Sequence, residues 1–401
     1  MNATDIRCEN DLAFYKKLLE HRDVKRVNEA IERHEAESPS GVRRNLLATS
    51  VRLTKGMAPD IANMAEECVA QLGVELDLEL YVYSSPQFNA ACFKPDGERL
   101  YVMFSSSLLE GFTADELRFV MGHELGHHVY DHHAVPIGYL LRGQSRPDPE
   151  LALELFAWSR YAEISADRAG AHCAQNMDAV AQALFKLSSG LTSKIISFSL
   201  DDFVAQVDDM QMGDQEPGQG SSQSDWFSTH PFSPLRVKAL KLFEQSELYP
   251  SGKGSKSKAE LEVGVQSVLS LMEPSYLEAK TDTAEAMRRL LFAGLIAVAD
   301  ATDGISEEEL DVFAKFFGKY AFSDKLDLTK IKETIPQRIA DVIEQASEPQ
   351  RMQVLHDLCI MSQVGGEVSE AERSELEHIA EGLKIPSAFI CQALDGDNEL
   401  D

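Results

Sequence analysis

His123-Glu124-Leu125-Gly126-His127 is an HExxH pentapeptide, and the residues around it repeat with a helical period. On a helix, side chains four apart lie one above the other on the same face. Both imidazoles then point at one spot, where they can hold one zinc ion. Glu124 stands about one water molecule away, as a general base would. A single HExxH arises by chance, so the neighbouring chain has to supply context.

The context agrees. Thr113 and Glu116 form a T-x-x-E capping box that opens the helix. Leu117, Val120, Met121 and Leu125 give it an apolar side, and Pro136 bounds it. Asp148-Pro149 opens the next helix, a capping residue followed by proline at the first helical position. That helix runs through Trp158 and Glu163 to about Cys173. Glu163 stands 36 residues after His127. Its carboxylate can complete a His₂Glu site and leave a fourth position for water; the plain alternative is a solvated helix glutamate. Asp167, one turn further on the same face, can accept a hydrogen bond from a ligand histidine and fix its tautomer. Asp178 is read as the cap of a further helix that stops at Gly190.

Ahead of the motif the period changes. Leu78–Tyr83 reads as a strand. Residues 90–93 and 100–104 flank the turn signal Pro95-Asp96-Gly97, a small hairpin or meander directly before the metal helix. Leu100–Phe104 is read as an edge strand able to pair with an extended peptide, which makes Tyr101 and Met103 candidate substrate-binding positions. The alternative is a strand with no role beyond structure.

The whole chain sets outer limits. Its 401 residues suggest two or three domains, and 44% hydrophobic residues is an ordinary globular fraction. Lys and Arg number 38 against 66 Asp and Glu, a formal charge of −28. Such a chain repels phosphate backbones, which argues against a nucleic-acid partner. The first 60 residues hold 11 basic and 10 acidic side chains, so the excess lies downstream. Met1–Asp5 shows no basic region leading into an apolar run, and the apolar run Leu290–Ala299 is too short to span a bilayer. The expectation is a soluble cytoplasmic protein. Its six cysteines lack any CxxC spacing and read as reduced, mostly buried side chains.

Residues 10–60 read as charged helices broken at 38–41. Residues 213–225 are poor in apolar side chains and are expected to be mobile. The Ser/Gly/Lys stretch 251–258 reads as a linker, and everything after about 260 as helical. Two copies of an apolar helix, a glycine turn and an S-x-x-E box recur there, with Ser306/Glu309 and Ser369/Glu372. With Gly304 at loop position six, an EF-hand would need ligands at Ala299 and Leu310, so calcium binding of that kind is rejected. The fold class expected is α+β, mainly helical. Residues 1–250 form one domain (core about 60–250), 251–260 a linker, and 261–401 an all-α domain.

Leu108–His127, Glu163–Asp167 and Thr229-His230-Pro231 with Arg236 resemble the HtpX-like and CAAX prenyl protease type 1 family of zinc metallopeptidases. That family reads HExxH, then ExxxD or ExxAD, then an H-P pair followed by an arginine. Asn89-Ala90 looks like its Asn-Ala pair, which makes Asn89 a further candidate substrate-binding residue. The resemblance covers about residues 60–250. It implies a zincin-type domain of the gluzincin kind, with a small sheet beside the metal helix and one Zn²⁺ per chain on His123, His127 and Glu163. Glu124 would be the base, His230 would stabilise the oxyanion, and Asp167 and Arg236 would support the site. From the residues alone His230 reads more simply as a loop histidine. Members of the family commonly carry transmembrane helices, whereas none is read here.

Residues 285–395 resemble the TerB-like helical domain through their paired glycine turns. That resemblance implies interaction or regulation, and a helical bundle that only packs is the plain alternative. The reading is therefore a metalloendopeptidase acting on protein or peptide substrates, with a possible protein partner for the C-terminal helices. Its rival is a non-catalytic interaction protein with a structural or latent zinc site. Segment 213–225, just ahead of His230, offers a gate. His128 and His132, four apart, lack a carboxylate partner for a second metal, and His133 and His172 read as surface or packing residues.

Overall fold

The computed structural model describes residues 2–37, 41–142, 149–192, 197–213, 229–250, 254–272, 282–301, 327–346, 348–363 and 368–395. They fall into two compact units, Met1–Asp208 with Trp226–Glu262, and Asp209–Asp225 with Val263–Asp401.

The first unit begins with helices α1 (Glu9–Glu20), α2 (Arg22–Glu37) and α3 (Val42–Thr49). A four-stranded sheet follows: β1 (Val51–Leu53), β2 (Asp77–Tyr83), β3 (Ala90–Cys92) and β4 (Arg99–Ser105), with α4 (Pro59–Leu72) between β1 and β2. Strand order is β1-β2-β4-β3. β2 and β4 run parallel from Asp77↔Arg99 to Tyr83↔Ser105. β3 and β4 form the expected hairpin, antiparallel through Ala91↔Met103. Its turn closes at Asp96↔Arg99, with Gly97 at φ +62, a left-handed conformation that glycine adopts without strain.

This order corrects the reading of Leu100–Phe104 as an edge. β4 lies inside the sheet, paired on both sides, and Tyr101 is buried against Tyr81 and Leu46. Neither Tyr101 nor Met103 therefore sits on a free backbone edge. The unbroken apolar run Leu-Tyr-Val-Met-Phe is what a strand covered on both faces requires. The edge on that side is β3.

After α5 (Ser106–Gly111) come the two helices that build the site, α6 (Ala114–Val129) and α8 (Pro149–Ala174), with α7 (Ile137–Arg142) between them. The expected capping box forms: Thr113 Oγ1 accepts from the Glu116 N–H, and Glu116 Oε2 accepts from the Thr113 N–H. Pro149 is the first residue of α8, and the expected cap Asp148 lies outside the described residues. α6 packs on α8 at very short range. A Cβ on Gly126 would lie 2.8 Å from Ala169 Cβ, and one on Gly170 would lie 2.6 Å from the Phe119 carbonyl oxygen. Side chains larger than hydrogen at these points would hold the helices apart.

α9 (Met177–Ser189), α10 (Leu200–Gly213) and α11 (Ser233–Glu244) follow. The cap of α9 is Asn176, whose side chain accepts from the Ala179 N–H; Asp178 sits inside the first turn instead, where its charge still suits the helix N-terminus. Gly190 ends α9 in the left-handed conformation, as its position after the last periodic residue implies. Residues 214–225 of the segment expected to be mobile lie outside the described residues, as do 38–40 and 251–253.

α12 (Lys258–Ser270) starts in the first range and ends in the second. Near its start Glu262 accepts from the buried Arg168 at 2.6 Å and from the Cys8 thiol at 3.2 Å. Lys256 pairs by backbone hydrogen bonds with Gln245 and Glu247, inside the stretch read as a linker. The second unit adds α13 (Asp282–Ala299), α14 (Leu328–Glu333), α15 (Ile335–Gln345), α16 (Glu348–Ser362), α17 (Glu370–Gly382) and α18 (Ala388–Asp395). Leu290, Val342, Leu355, Leu358, Leu376 and Ile379 are fully buried in its core. Ser369 and Glu372 form the predicted capping box. The partner box at Ser306 and Glu309 lies outside the described residues.

Candidate metal centre

His123 and His127 lie one turn apart on α6, and Glu163 faces them from α8. Their donor atoms converge. His123 Nε2 and His127 Nε2 are 3.2 Å apart. Glu163 Oε1 is 3.4 Å from His127 Nε2, and Oε2 is 3.6 Å from His123 Nε2. Among the described residues, these three form the group of histidines, cysteines and carboxylates able to hold a metal ion. Glu163 Oε2 is buried and accepts no hydrogen bond; the Arg236 guanidinium approaches it to 3.5 Å. A buried carboxylate oxygen without a donor is costly unless a cation takes that place.

The electrostatics follow the same lines. Burial works against the charged form of Glu163, yet His127, His123 and His230 hold its carboxyl well below the usual range. Burial also opposes protonation of His127, but Glu163, Glu124 and Asp167 raise it above an ordinary histidine. Negative charge thus dominates the point where the nitrogens meet.

Each histidine is held from behind. His123 Nδ1 lies 2.9 Å from Asp167 Oδ1. Arg236, from α11, donates to both oxygens of Asp167, Nε to Oδ2 at 2.8 Å and Nη2 to Oδ1 at 2.6 Å. Against the cost of burial, Arg236 and His123 keep Asp167 ionised. An ionised carboxylate only accepts, so His123 Nδ1 carries the proton and Nε2 turns its lone pair to the centre. On the other side, His127 Nδ1 lies 2.8 Å from His132 Nδ1, and His132 Nε2 lies 3.1 Å from Asp11 Oδ2. His132 therefore partners His127, not His128. His172 is buried, as a packing residue would be.

Glu124 Oε2 accepts from the Cys92 N–H of β3 at 2.7 Å. Asn89, just before β3, donates from its side chain to the Tyr83 hydroxyl at 3.1 Å. His230 lies at the mouth with its side chain 64% exposed and Nε2 3.5 Å from Glu163 Oε1. Thr229 Oγ1 is 2.9 Å from His230 Nδ1. A cleft of about 980 Å³ opens beside His127 and Glu163, lined on its apolar side by Ile31, Val135, Ile137, Leu141 and Trp158.

Two histidines and a glutamate converging from two packed helices, with another glutamate beside them, make a candidate centre of the metallopeptidase type. Residues 57–144 and 150–244 match the model of peptidase family M48. Over 217 residues, 51% of its length, the chain is 29% identical to the plastoglobule-localized metallopeptidase 48, chloroplastic, of Arabidopsis thaliana. Over 75 residues, 19% of its length, it is 33% identical to the protease HtpX of Shewanella loihica. It spans 62% of the first relative and 24% of the second. No solved structure matches the chain. These likenesses support a metalloprotease. No helix among the described residues is long and apolar enough to cross a membrane.

Proposed function

We propose that the chain is a soluble, cytoplasmic zinc metalloendopeptidase. The observation that carries the reading is the spacing of the three donors. Ligand atoms about 2.0–2.1 Å from a tetrahedral zinc ion stand roughly 3.3 Å from one another. Here the two nitrogens are 3.2 Å apart, and the Glu163 carboxylate reaches His127 Nε2 through Oε1 at 3.4 Å and His123 Nε2 through Oε2 at 3.6 Å. Bound there, zinc supplies a water that ionises near neutral pH.

The protein's own groups then divide the work. Glu124 takes the proton from the attacking water and passes it to the leaving amine. His230 donates to the oxyanion as it develops, while Asp167 and Arg236 keep His123 in the ligating tautomer. The peptide lies along β3. In an antiparallel pair, alternate residues turn their N–H and C=O away from the partner strand. With Ala91 paired to β4, Ala90 turns its N–H and C=O to the free side, where an extended peptide can add as a strand, while the Cys92 N–H on that side is taken by Glu124. Asn89 fixes the start of that edge. The apolar side of the cleft favours a large hydrophobic side chain next to the scissile bond. The second unit is a TerB-like, non-catalytic helical module that binds a protein partner.

Glu124→Gln tests the reading. The variant is expected to bind about one zinc per chain and to lose cleavage of an unfolded protein such as casein. Retained cleavage would remove Glu124 from the mechanism. A wild type that binds zinc and turns over no unfolded protein would favour the non-catalytic rival. His230→Ala is expected to keep the metal and to lower kcat by about 10²–10³-fold.

A further inference from the structure

We infer that His132 and Asp11 are positioning residues for the metal ligand His127, so that helix α1 is part of the metal centre. The inference rests on the metal-site reading above. Asp11 and α1 lie outside the family match, which begins at residue 57.

The hydrogen-bond chain fixes its own direction. Asp11 is fully buried, and its two oxygens gather donors from four side chains. Arg7 donates Nε to Oδ2 at 2.8 Å and Nη2 to Oδ1 at 3.2 Å. Ser165 Oγ donates to Oδ2 at 2.7 Å, and Trp158 Nε1 donates to Oδ1 at 3.1 Å. A carboxylate so surrounded is ionised and only accepts, so the proton between it and His132 sits on Nε2 of the histidine. A neutral His132 then presents a lone pair at Nδ1. His127 Nδ1, 2.8 Å away, has to be the donor there. The proton of His127 is thereby fixed on Nδ1, and Nε2 turns its lone pair toward His123 Nε2 and Glu163. Asp11 thus selects the ligating tautomer of His127 through one intervening ring, as Asp167 does directly for His123.

Local backbone makes the contact possible. α6 ends at Val129, and Asp131 adopts φ +56, a left-handed turn that aspartate tolerates better than most residues. The turn folds His132 back beneath His127 instead of carrying it up the helix. Tyr15 of α1 donates to Asp131 Oδ2 at 2.7 Å, so α1 holds both the turn and the carboxylate at the end of the chain. His132 packs edge-on against Trp158, which limits its rotation.

The test uses the full chain, stripped of metal and titrated with zinc against a competing chelator. Cobalt(II) substitution supplies a visible spectrum that reports ligand geometry. His132→Phe keeps an aromatic ring and breaks the chain; it should weaken zinc binding by about 10–100-fold and shift the cobalt bands. Asp11→Asn keeps the side-chain shape and carries the same expectation at the smaller end of that range, including where His132→Phe fails to fold. Leu18→Ala loosens the packing of α1 at a buried position outside this hydrogen-bond chain and should leave zinc affinity within about threefold of wild type. If both relay variants bind zinc like wild type, the positioning role is overturned while the metal site stands. It is overturned equally if Leu18→Ala weakens zinc as much as His132→Phe, since the effect would then be general loosening. If wild type binds no stoichiometric zinc, or His123→Ala binds it as well as wild type, the metal reading falls and the inference with it.

Discussion

On the proposed reading, protons and a metal ion compete for the same nitrogen at His127. In the metal-free chain, burial opposes its charge, but Glu163 and the neighbouring carboxylates raise it above the ordinary histidine range. The stability contributed by that protonated form is fully present below about pH 6.5. It is lost as pH rises through the raised value. Zinc needs the neutral ring, so its stabilising effect runs the other way. The rise in Tm on adding zinc should therefore grow between about pH 5.5 and about pH 8. A rise that stays constant across that range would break the link between His127 and the metal. At this scale much of the centre is legible in the sequence. His123, Glu124, His127, Glu163 and Asp167 are read from type and spacing and Arg236 from the family resemblance, and the fold gathers them. Periodicity pairs His132 with His128, because it cannot show that α6 stops at Val129. Asp11 leaves a fainter trace. It shares a helical stripe with Phe14 and Leu18, all three buried, and a carboxylate on an apolar stripe needs a reason.

Between elements, the contact of α6 with α8 decides whether three donors meet. Replacing a helix glycine by alanine ordinarily gains about 1 kcal/mol of helix propensity. At Gly170 the new methyl group would stand 2.6 Å from the backbone oxygen of Phe119, which no rotamer change relieves. Overpacking of that kind costs about 1–3 kcal/mol, so the clash outweighs the gain. Gly170→Ala is expected to lower stability in urea. It should also weaken zinc binding, because α6 has to move away from Glu163. A variant more stable than wild type would show that the helices do not need this closeness. The sheet is legible only in part. Each strand is visible in the sequence except the three-residue β1, and Pro95-Asp96-Gly97 marks the β3–β4 turn. What periodicity does not reveal is that β2 lies parallel to β4 and places it inside the sheet. Strand order depends on the crossover between strands, which leaves no local pattern. The free edge on that side of the sheet is accordingly β3, not the strand that carries Tyr101 and Met103.

At the scale of the whole molecule, each unit has its own buried core, and the candidate centre belongs to the first alone. Separate cores imply separate unfolding transitions, and metal linkage supplies the way to tell them apart. A ligand stabilises only the cooperative unit that binds it, by RT ln(1 + [L]/Kd). Removing zinc with a chelator should therefore lower one calorimetric transition and leave the other in place. A core substitution in the second unit should do the reverse. Leu358 is fully buried, and its methyl groups lie 2.9 and 3.0 Å from where a Cβ on Gly294 would stand. Truncating it removes packing at a point of close helix approach. Leu358→Ala should cost about 2–5 kcal/mol, and so lower the second transition by roughly 5–15 °C. Zinc affinity and cleavage should then remain at wild-type levels. If chelator and Leu358→Ala each displaced both transitions together, the two units would be one cooperative body. The helical unit would then contribute directly to the stability of the metal centre, and its reading as a separate partner-binding module would have to be given up.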